Sequence, residues 1–181
     1  MSPSNDSFTS ALSSPSPHLS TSDDDTSSPS PRASTPIQTI TSCIPWPGSC
    51  YIIRSSGSAS VITLKDGQIS LSPPGGRGSI YWDCVERNGW LGFRAPASGL
   101  FLGHDMGGRL CCGAKKHQSW ENFCARARPE GGFVLMMAHW EKLWPVGVKD
   151  GVAGDGGEGS ALVKINGGVE EGIVWDFVRV R

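Results

Sequence analysis

The chain of 181 residues contains three passages that repeat the same order of features, and this repetition limits its fold more than any single residue does. The passages cover about residues 51–86, 90–126 and 133–180. Each begins with a short apolar stretch, continues to an aliphatic residue and an Asp-containing glycine turn, and ends near a tryptophan. A period of about 40 residues is typical of folds that use one small structural unit several times.

Each repeat predicts four β-strands. The apolar runs are short, rich in β-branched and aromatic residues, and separated by Gly, Pro, Asp and Ser. Alternation within residues 80–85 indicates an antiparallel sheet with one face in a core, and no window shows a sustained helical period. The predicted strands are 51–54, 60–64, 68–71 and 80–86 in repeat one, 90–94, 100–103, 109–112 and 120–126 in repeat two, and 133–137, 143–148, 161–165 and 173–180 in repeat three.

Three copies of a four-strand unit give twelve strands, the number found in a β-trefoil. In that fold six strands close a barrel and three hairpins cap it, which leaves no free sheet edge open to aggregation. We therefore predict an all-β chain with a β-trefoil over residues 46–181; a β-sandwich with accidental self-similarity is the alternative. The aromatic residues that close the repeats are expected in the core: Trp82, Trp120, Trp175, Phe123 and Phe177.

Repeat two resembles the fascin-like, actin-crosslinking-type repeat. The matching segments are 90–93, 98–105, 108–112 and 120–123, which supply an aromatic opening, a Leu-Gly strand, an Asp turn and a closing W-x-x-F. Repeat one lacks the aromatic-Leu-Gly strand, and repeat three carries a glycine-rich insertion at 151–160. The resemblance implies a β-trefoil that binds a protein partner, with actin as one candidate. Fascins bundle filaments with several trefoils in tandem, whereas one trefoil offers no two separated filament sites.

Residues 1–45 differ in composition from the rest of the chain. They are rich in Ser, Thr and Pro, and Phe8 is their one aromatic residue. Such a segment cannot bury enough apolar surface to offset the entropy of ordering it, so we predict a disordered tail. Its Ser-Pro and Thr-Pro dipeptides are candidates for phosphorylation, which would add about −1.5 to −2 charges per site.

Composition also limits the partners and the location of the protein. The net charge of −1 does not suggest a nucleic-acid surface, for which a basic domain with clustered Lys and Arg would be expected. The N-terminus has neither the basic start nor the apolar stretch of a signal peptide, and no apolar run reaches the ~18–20 residues of a membrane span. We expect a cytoplasmic monomer with six reduced cysteines and no cofactor. We expect no metal either, because Cys111 and Cys112 are adjacent strand residues that point to opposite faces.

No arrangement of residues predicts catalysis. The chain has no G-x-S-x-G, P-loop, G-x-G-x-x-G or H-E-x-x-H motif. The glycine-rich segment 73–78 lacks the Lys-Ser/Thr pair and the following helix that would hold a phosphate. His139 is isolated in the sequence, and a lone histidine is more often packed than catalytic. We therefore predict a protein that is not an enzyme.

Trefoils mostly bind through their loops, and three binding functions are compatible with this sequence. Protein–protein interaction, with actin as a candidate, is favoured. A carbohydrate-binding lectin is the alternative, because Gln118 and Trp120 match the Q-x-W of ricin-type lectin repeats; Ile80 and Ile173 stand at the equivalent positions of the other repeats. A protease inhibitor would need a rigid loop, and the glycine-rich segment 151–159 would lose entropy on binding.

The candidate contact residues are of two kinds. Trp140 and Trp144 have no equivalent tryptophan in the other repeats. Aromatic anchors of this type contribute much of the binding energy at interfaces. Arg109, Lys115 and Lys116 lie around the 111–119 loop of repeat two and form a candidate basic patch.

Overall fold

A computed structural model describes residues 41–153 and 160–181, with no description of the side chains of 149–153. The predictions for the tail up to residue 40 and for most of the 151–160 insertion lie outside this range. Twelve strands and two short 3-10 helices, Ser119–Glu121 and Val169–Glu171, make up the described part. The strands are β1 (Cys50–Ser55), β2 (Val61–Lys65), β3 (Gln68–Ser72), β4 (Tyr81–Arg87), β5 (Trp90–Arg94), β6 (Phe101–His104), β7 (Leu110–Ala114), β8 (Phe123–Ala127), β9 (Phe133–His139), β10 (Lys142–Ala153), β11 (Ser160–Lys164) and β12 (Val174–Arg179).

The first and last strands of the repeats form a closed barrel. The antiparallel pairings run from β1 to β4, β5, β8, β9 and β12, and β12 returns to β1. The middle strands form the hairpins β2–β3, β6–β7 and β10–β11. These hairpins contact one another through β3–β11, β3–β7 and the bridge between Arg109 and Val163. A six-stranded barrel capped by three mutually paired hairpins is a β-trefoil, as predicted.

The strand register shows which residues are equivalent in the three repeats. Trp82 lies opposite Tyr51, Phe123 opposite Leu91, and Trp175 opposite Phe133. Trp82, Phe123, Trp175 and Phe177 are fully buried, as predicted, and Phe123 packs edge-on against Phe93 at 5.9 Å between ring centroids.

The prediction that Trp120 belongs to this core is wrong. Trp120 is 39% exposed and lies in the 3-10 helix Ser119–Glu121, and β8 begins only at Phe123. The backbone N–H of Gln118 donates to Oε2 of Glu121 at 2.9 Å, which stabilises the helical turn and takes Trp120 out of the strand. Phe123 is therefore the repeat-two counterpart of Trp82 and Trp175.

The chain contacts the barrel ahead of the domain boundary predicted between residues 45 and 46. The backbone N–H of Cys43 donates to the carbonyl of Phe177 at 3.0 Å, and that of Phe177 donates to Oγ of Ser42 at 3.2 Å. Burial alone would raise the pKa of Asp176, but hydrogen bonds from Arg54, Ser56 and Ser42 outweigh it and lower this pKa below 3.8. Residues 42 and 43 therefore belong to the folded domain.

The described residues include no helix with the length and apolar content that a membrane crossing requires.

Candidate functional site

The tight turn between β9 and β10 presents an exposed tryptophan. His139 pairs with Lys142 across the hairpin, and the backbone N–H of Lys142 donates to the carbonyl of Trp140 at 2.8 Å. Trp140 has φ of +52° and is 70% exposed. The left-handed conformation costs a non-glycine residue about 1–2 kcal/mol, and strain of this kind is concentrated at functional sites. Trp140 is therefore our starting point for the site.

Trp140 lines a cleft formed by the β9–β10 hairpin and the end of β11. We call it the aromatic cleft, and its volume is about 400 Å³. Small-molecule sites commonly fall at about 300–1,000 Å³, so the cleft has room for a compact ligand. The lining residues are His139, Trp140, Glu141, Lys142, Trp144 and Lys164.

Lys164 is held in the aromatic cleft from three sides. Its backbone N–H donates to the carbonyl of Gly108 at 2.8 Å. Its aliphatic stem lies against Gly108, where a Cβ would be 2.5 Å from Cδ of the lysine. Its ammonium Nζ lies 3.3 Å from Nδ1 of His139 and 5.2 Å from the ring centroid of Trp144, a cation–π distance. The cation is therefore positioned before any ligand arrives.

Two histidines join the hairpin of repeat two to β9 of repeat three. Nε2 of His104 lies 2.7 Å from the carbonyl oxygen of Ala138, and Nδ1 lies 2.9 Å from that of Asp105. A neutral imidazole can donate to only one of these oxygens at a time, and the protonated ring can donate to both. In the reverse direction, Nε2 of His139 donates to the carbonyl of Met106 at 3.1 Å. These reciprocal hydrogen bonds fix the wall behind the aromatic cleft.

The same histidines connect two of the exposed tryptophans, Trp120 and Trp140, through ring contacts. Trp120 stacks on His104 with 5.4 Å between centroids, and His104 meets His139 edge-on at 4.9 Å. His139 meets Trp140 at 5.8 Å. Trp120 and Trp140 are therefore anchored to the same histidine pair.

Trp120 belongs to a second cleft, which we call the basic cleft. It has a volume of about 450 Å³ and includes the exposed residues Lys115 and Lys116. His117, between Lys116 and Gln118, is buried and stacks on Phe101 at 5.8 Å. Burial lowers the pKa of His117 below 6.5, against smaller raising effects of Asn122 and Glu121. The cleft is lined by Ala114, Lys115, Lys116, Gln118, Ser119, Trp120 and Glu121.

The structure sorts the candidate contact residues into separate places. Trp140 and Trp144 line the aromatic cleft, whereas Lys115 and Lys116 line the basic cleft. Arg109 lines neither of these clefts; its backbone forms the bridge to β11.

Sequence reasoning missed four of the residues that line the aromatic cleft: His139, Glu141, Lys142 and Lys164. Lys164 has no local signal, because a residue of repeat two determines its position. His139 was interpreted as a packed residue, and it is 4% exposed, yet it also lies against the ammonium group of Lys164. No group of three or more His, Cys, Asp or Glu side chains in the described ranges is arranged to hold a metal ion.

The strand pairing defines a β-trefoil, and similar solved structures agree on the fold. The chain matches no protein-family model and no curated protein. It is similar to the ricin B-like lectin of Macrolepiota procera in complex with lactose, with a TM-score of 0.57 and 17% identity over 76% of this chain and 100% of the lectin. It is also similar to the designed threefold-symmetric protein ThreeFoil, with a TM-score of 0.56 and 15% identity over 72% of this chain and 99% of that one.

An enzyme with a similar region is 1,3Gal43A, an exo-β-1,3-galactanase from Clostridium thermocellum. The TM-score is 0.57 and the identity is 18%, over 76% of this chain and 31% of the enzyme. The present chain therefore corresponds to only about a third of that protein. At these identities the likeness shows the fold alone.

Proposed function

We propose that this protein is a non-enzymatic carbohydrate-binding module and that the aromatic cleft is its sugar site. The observation that carries the proposal is Trp140, which is 70% exposed in a strained turn at the mouth of a cleft that also contains Trp144. The weakly positive C–H face of a sugar ring stacks on the negative face of an aromatic ring. Trp140 offers such a face without any rearrangement of the backbone.

The polar residues of the aromatic cleft suit the rest of a sugar. The carboxylate of Glu141 accepts hydrogen bonds from hydroxyl groups, and the ammonium groups of Lys142 and Lys164 donate to hydroxyl or ring oxygens. An apolar surface combined with a few convergent polar groups is the usual composition of a small-molecule site. The lactose-bound lectin, and the galactanase of which about a third is similar in fold to this chain, support this choice of ligand class.

A protein partner, with actin as the candidate, is the second proposed function. It rests on the resemblance of repeat two to the fascin-like repeat and on exposed apolar residues outside the clefts, such as Ile44 (68% exposed) and Trp46 (71%). Large exposed apolar side chains that lie close together mark protein interfaces. The aromatic cleft is concave and small, however, and this shape favours a sugar over a filament surface.

A reducing compartment such as the cytoplasm is part of the proposal. All six cysteines lie in the described ranges and all are free. Disulfides form in oxidising compartments, and six unpaired thiols therefore support an intracellular location.

The experiment compares two matched tryptophan variants of the full chain on a glycan array and in co-sedimentation with filamentous actin. Trp140→Asn removes the stacking face, and asparagine tolerates the left-handed conformation at φ +52°. Trp46→Asn is the control, because Trp46 is equally exposed and does not line the cleft.

We expect saturable glycan binding by the native chain and by Trp46→Asn. The affinity of Trp140→Asn should be at least about tenfold lower, as is typical when a central aromatic anchor is lost. Its thermal unfolding should be unchanged or shifted slightly upward. Undiminished glycan binding by Trp140→Asn would disprove the site. Saturable pelleting with actin together with a blank array would replace the sugar function with the cytoskeletal one.

A further inference from the structure

We propose that the aromatic cleft selects sugars that carry an anionic substituent, a carboxylate or a sulfate, and that Lys164 recognises this group. The inference rests on the proposed function, since it assumes that the cleft is a sugar site. It adds the chemical class of the sugar and the residue that determines it.

The cation of Lys164 is held in a fixed position. The stem against Gly108, the lone pair of His139 Nδ1 at 3.3 Å and the ring of Trp144 leave the ammonium group few alternative positions. A free lysine side chain carries considerable rotamer entropy, which a ligand must overcome when it binds. That entropy is already lost in the folded protein, so a ligand anion meets a preorganised charge.

The ammonium group of Lys164 has no counterion in the described part of the chain. Lys164 is half-buried, and none of the ion pairs between described residues includes it. Glu141 lines the same cleft without forming an ion pair with Lys164. His139 orients the ammonium group through a neutral lone pair and does not neutralise it, because its other nitrogen donates to the carbonyl of Met106. A partly desolvated cation is costly without a partner, and a ligand carboxylate or sulfate supplies one.

Further lysines line the two clefts near Lys164. Lys142 lines the aromatic cleft, and Lys115 and Lys116 line the basic cleft. The ring contacts of His104 and His139 connect the two clefts. The carboxylate of Glu121 is buried and already accepts from the backbone N–H of Gln118. The two clefts together carry four lysines against the carboxylates of Glu141 and Glu121, so their net charge is positive and attracts anions.

The test measures binding of the full chain to three probes by titration calorimetry. The first probe is a hexuronic-acid oligosaccharide. The second is the same oligosaccharide with its carboxyl groups reduced to hydroxymethyl groups. The third is the reduced oligosaccharide carrying sulfate. Lys164→Met is the decisive variant, because methionine keeps an aliphatic stem against Gly108 and removes the charge. Lys65→Met is the matched control, a half-buried lysine that lines neither the aromatic cleft nor the basic cleft.

We expect at least one of the two anionic probes to bind about ten- to a hundredfold more tightly than the reduced probe. Lys164→Met should remove this preference and lower the affinity for the reduced probe far less than the affinity for the anionic probe, whereas Lys65→Met should retain the preference. Added salt should weaken the binding of the anionic probe to the native chain more than its binding to Lys164→Met. Which of the two anionic probes is preferred identifies the substituent as carboxylate or sulfate.

Other results would overturn the inference in distinguishable ways. If the native chain bound all three probes with equal affinity and Trp140→Asn bound none of them, the sugar site would stand and the selectivity for anions would be refuted. An equal loss for every probe in Lys164→Met would assign the lysine a structural role only. Binding of none of the probes would refute the inference together with the sugar site. An acidic peptide of Asp and Glu that bound as tightly as the hexuronic-acid probe would refute the sugar as the ligand class.

Discussion

The register of repeat two predicts that Phe123 and Trp120 make very different contributions to stability, although the larger of the two side chains is the tryptophan. Phe123 is fully buried opposite Leu91 and packs against Phe93. Replacing a buried phenylalanine with alanine costs about 3–5 kcal/mol. The total free energy of unfolding of a typical domain is about 5–15 kcal/mol, so Phe123→Ala should remove a large share of the stability.

Trp120→Ala should cost far less. The side chain is 39% exposed, and the contact it would lose is the stack on His104. An aromatic pair of this type contributes about 0.5–1.5 kcal/mol beyond its buried area. The hydrogen bond between Gln118 and Glu121 that maintains the 3-10 helix does not involve the indole.

Urea unfolding followed by far-UV circular dichroism measures both variants without relying on tryptophan fluorescence, which Trp120→Ala itself would change. Trp82→Ala is the reference, since Trp82 is the fully buried equivalent of Phe123 in repeat one. We expect Phe123→Ala and Trp82→Ala to lower the urea midpoint strongly and Trp120→Ala to lower it slightly. If Trp120→Ala lowered the urea midpoint as much as Phe123→Ala, the register would be refuted and the repeats would have to be aligned on Trp120.

Two further predictions concern the start of the domain and its response to acid. The free energy of unfolding should be about 1–3 kcal/mol lower for a chain that begins at residue 46 than for one that begins at residue 41, because the shorter chain lacks the hydrogen bonds that Ser42 and Cys43 make with Phe177. Equal urea midpoints for the two chains would contradict this. Burial lowers the pKa of His117, so as the pH falls below 6.5 this histidine is protonated in the unfolded chain before it is protonated in the folded chain. The free energy of unfolding should therefore decrease with falling pH until the histidine of the folded chain is protonated too. His117→Gln should flatten the pH profile of the urea midpoint in this window, and identical profiles for the two proteins would rule out the histidine as the cause.

Most of the fold could be predicted from the sequence because it depends on local alternation and on repetition. All twelve predicted strands are present, and most of their ends agree closely. The start of β8 was wrong because a local hydrogen bond from the backbone of Gln118 to Glu121 favours a helical turn over the strand that the aromatic pattern predicted. Alignment on the buried position, Phe123, in place of the largest aromatic residue would have avoided the error.

The candidate site could be predicted only in part. The two tryptophans of the aromatic cleft were found because they do not fit the repeat pattern. The conformation of Trp140 was not predictable, since hairpin turns with positive φ usually use residues such as Asn88 and Gly89, which form the β4–β5 turn with φ of +52° and +83°. The position of Lys164 depends on Gly108, a contact between two repeats that no local pattern in either repeat encodes.

The most direct test of a sugar site at the aromatic cleft is a titration of the isotopically labelled full chain with the best ligand from the glycan array, followed through the indole N–H resonances of its seven tryptophans. We predict that the resonances of Trp140 and Trp144 shift in a saturable manner, while that of the fully buried Trp82 remains in place. Saturable shifts confined to tryptophans outside the aromatic cleft, or no shifts while binding is measured by another method, would contradict the account.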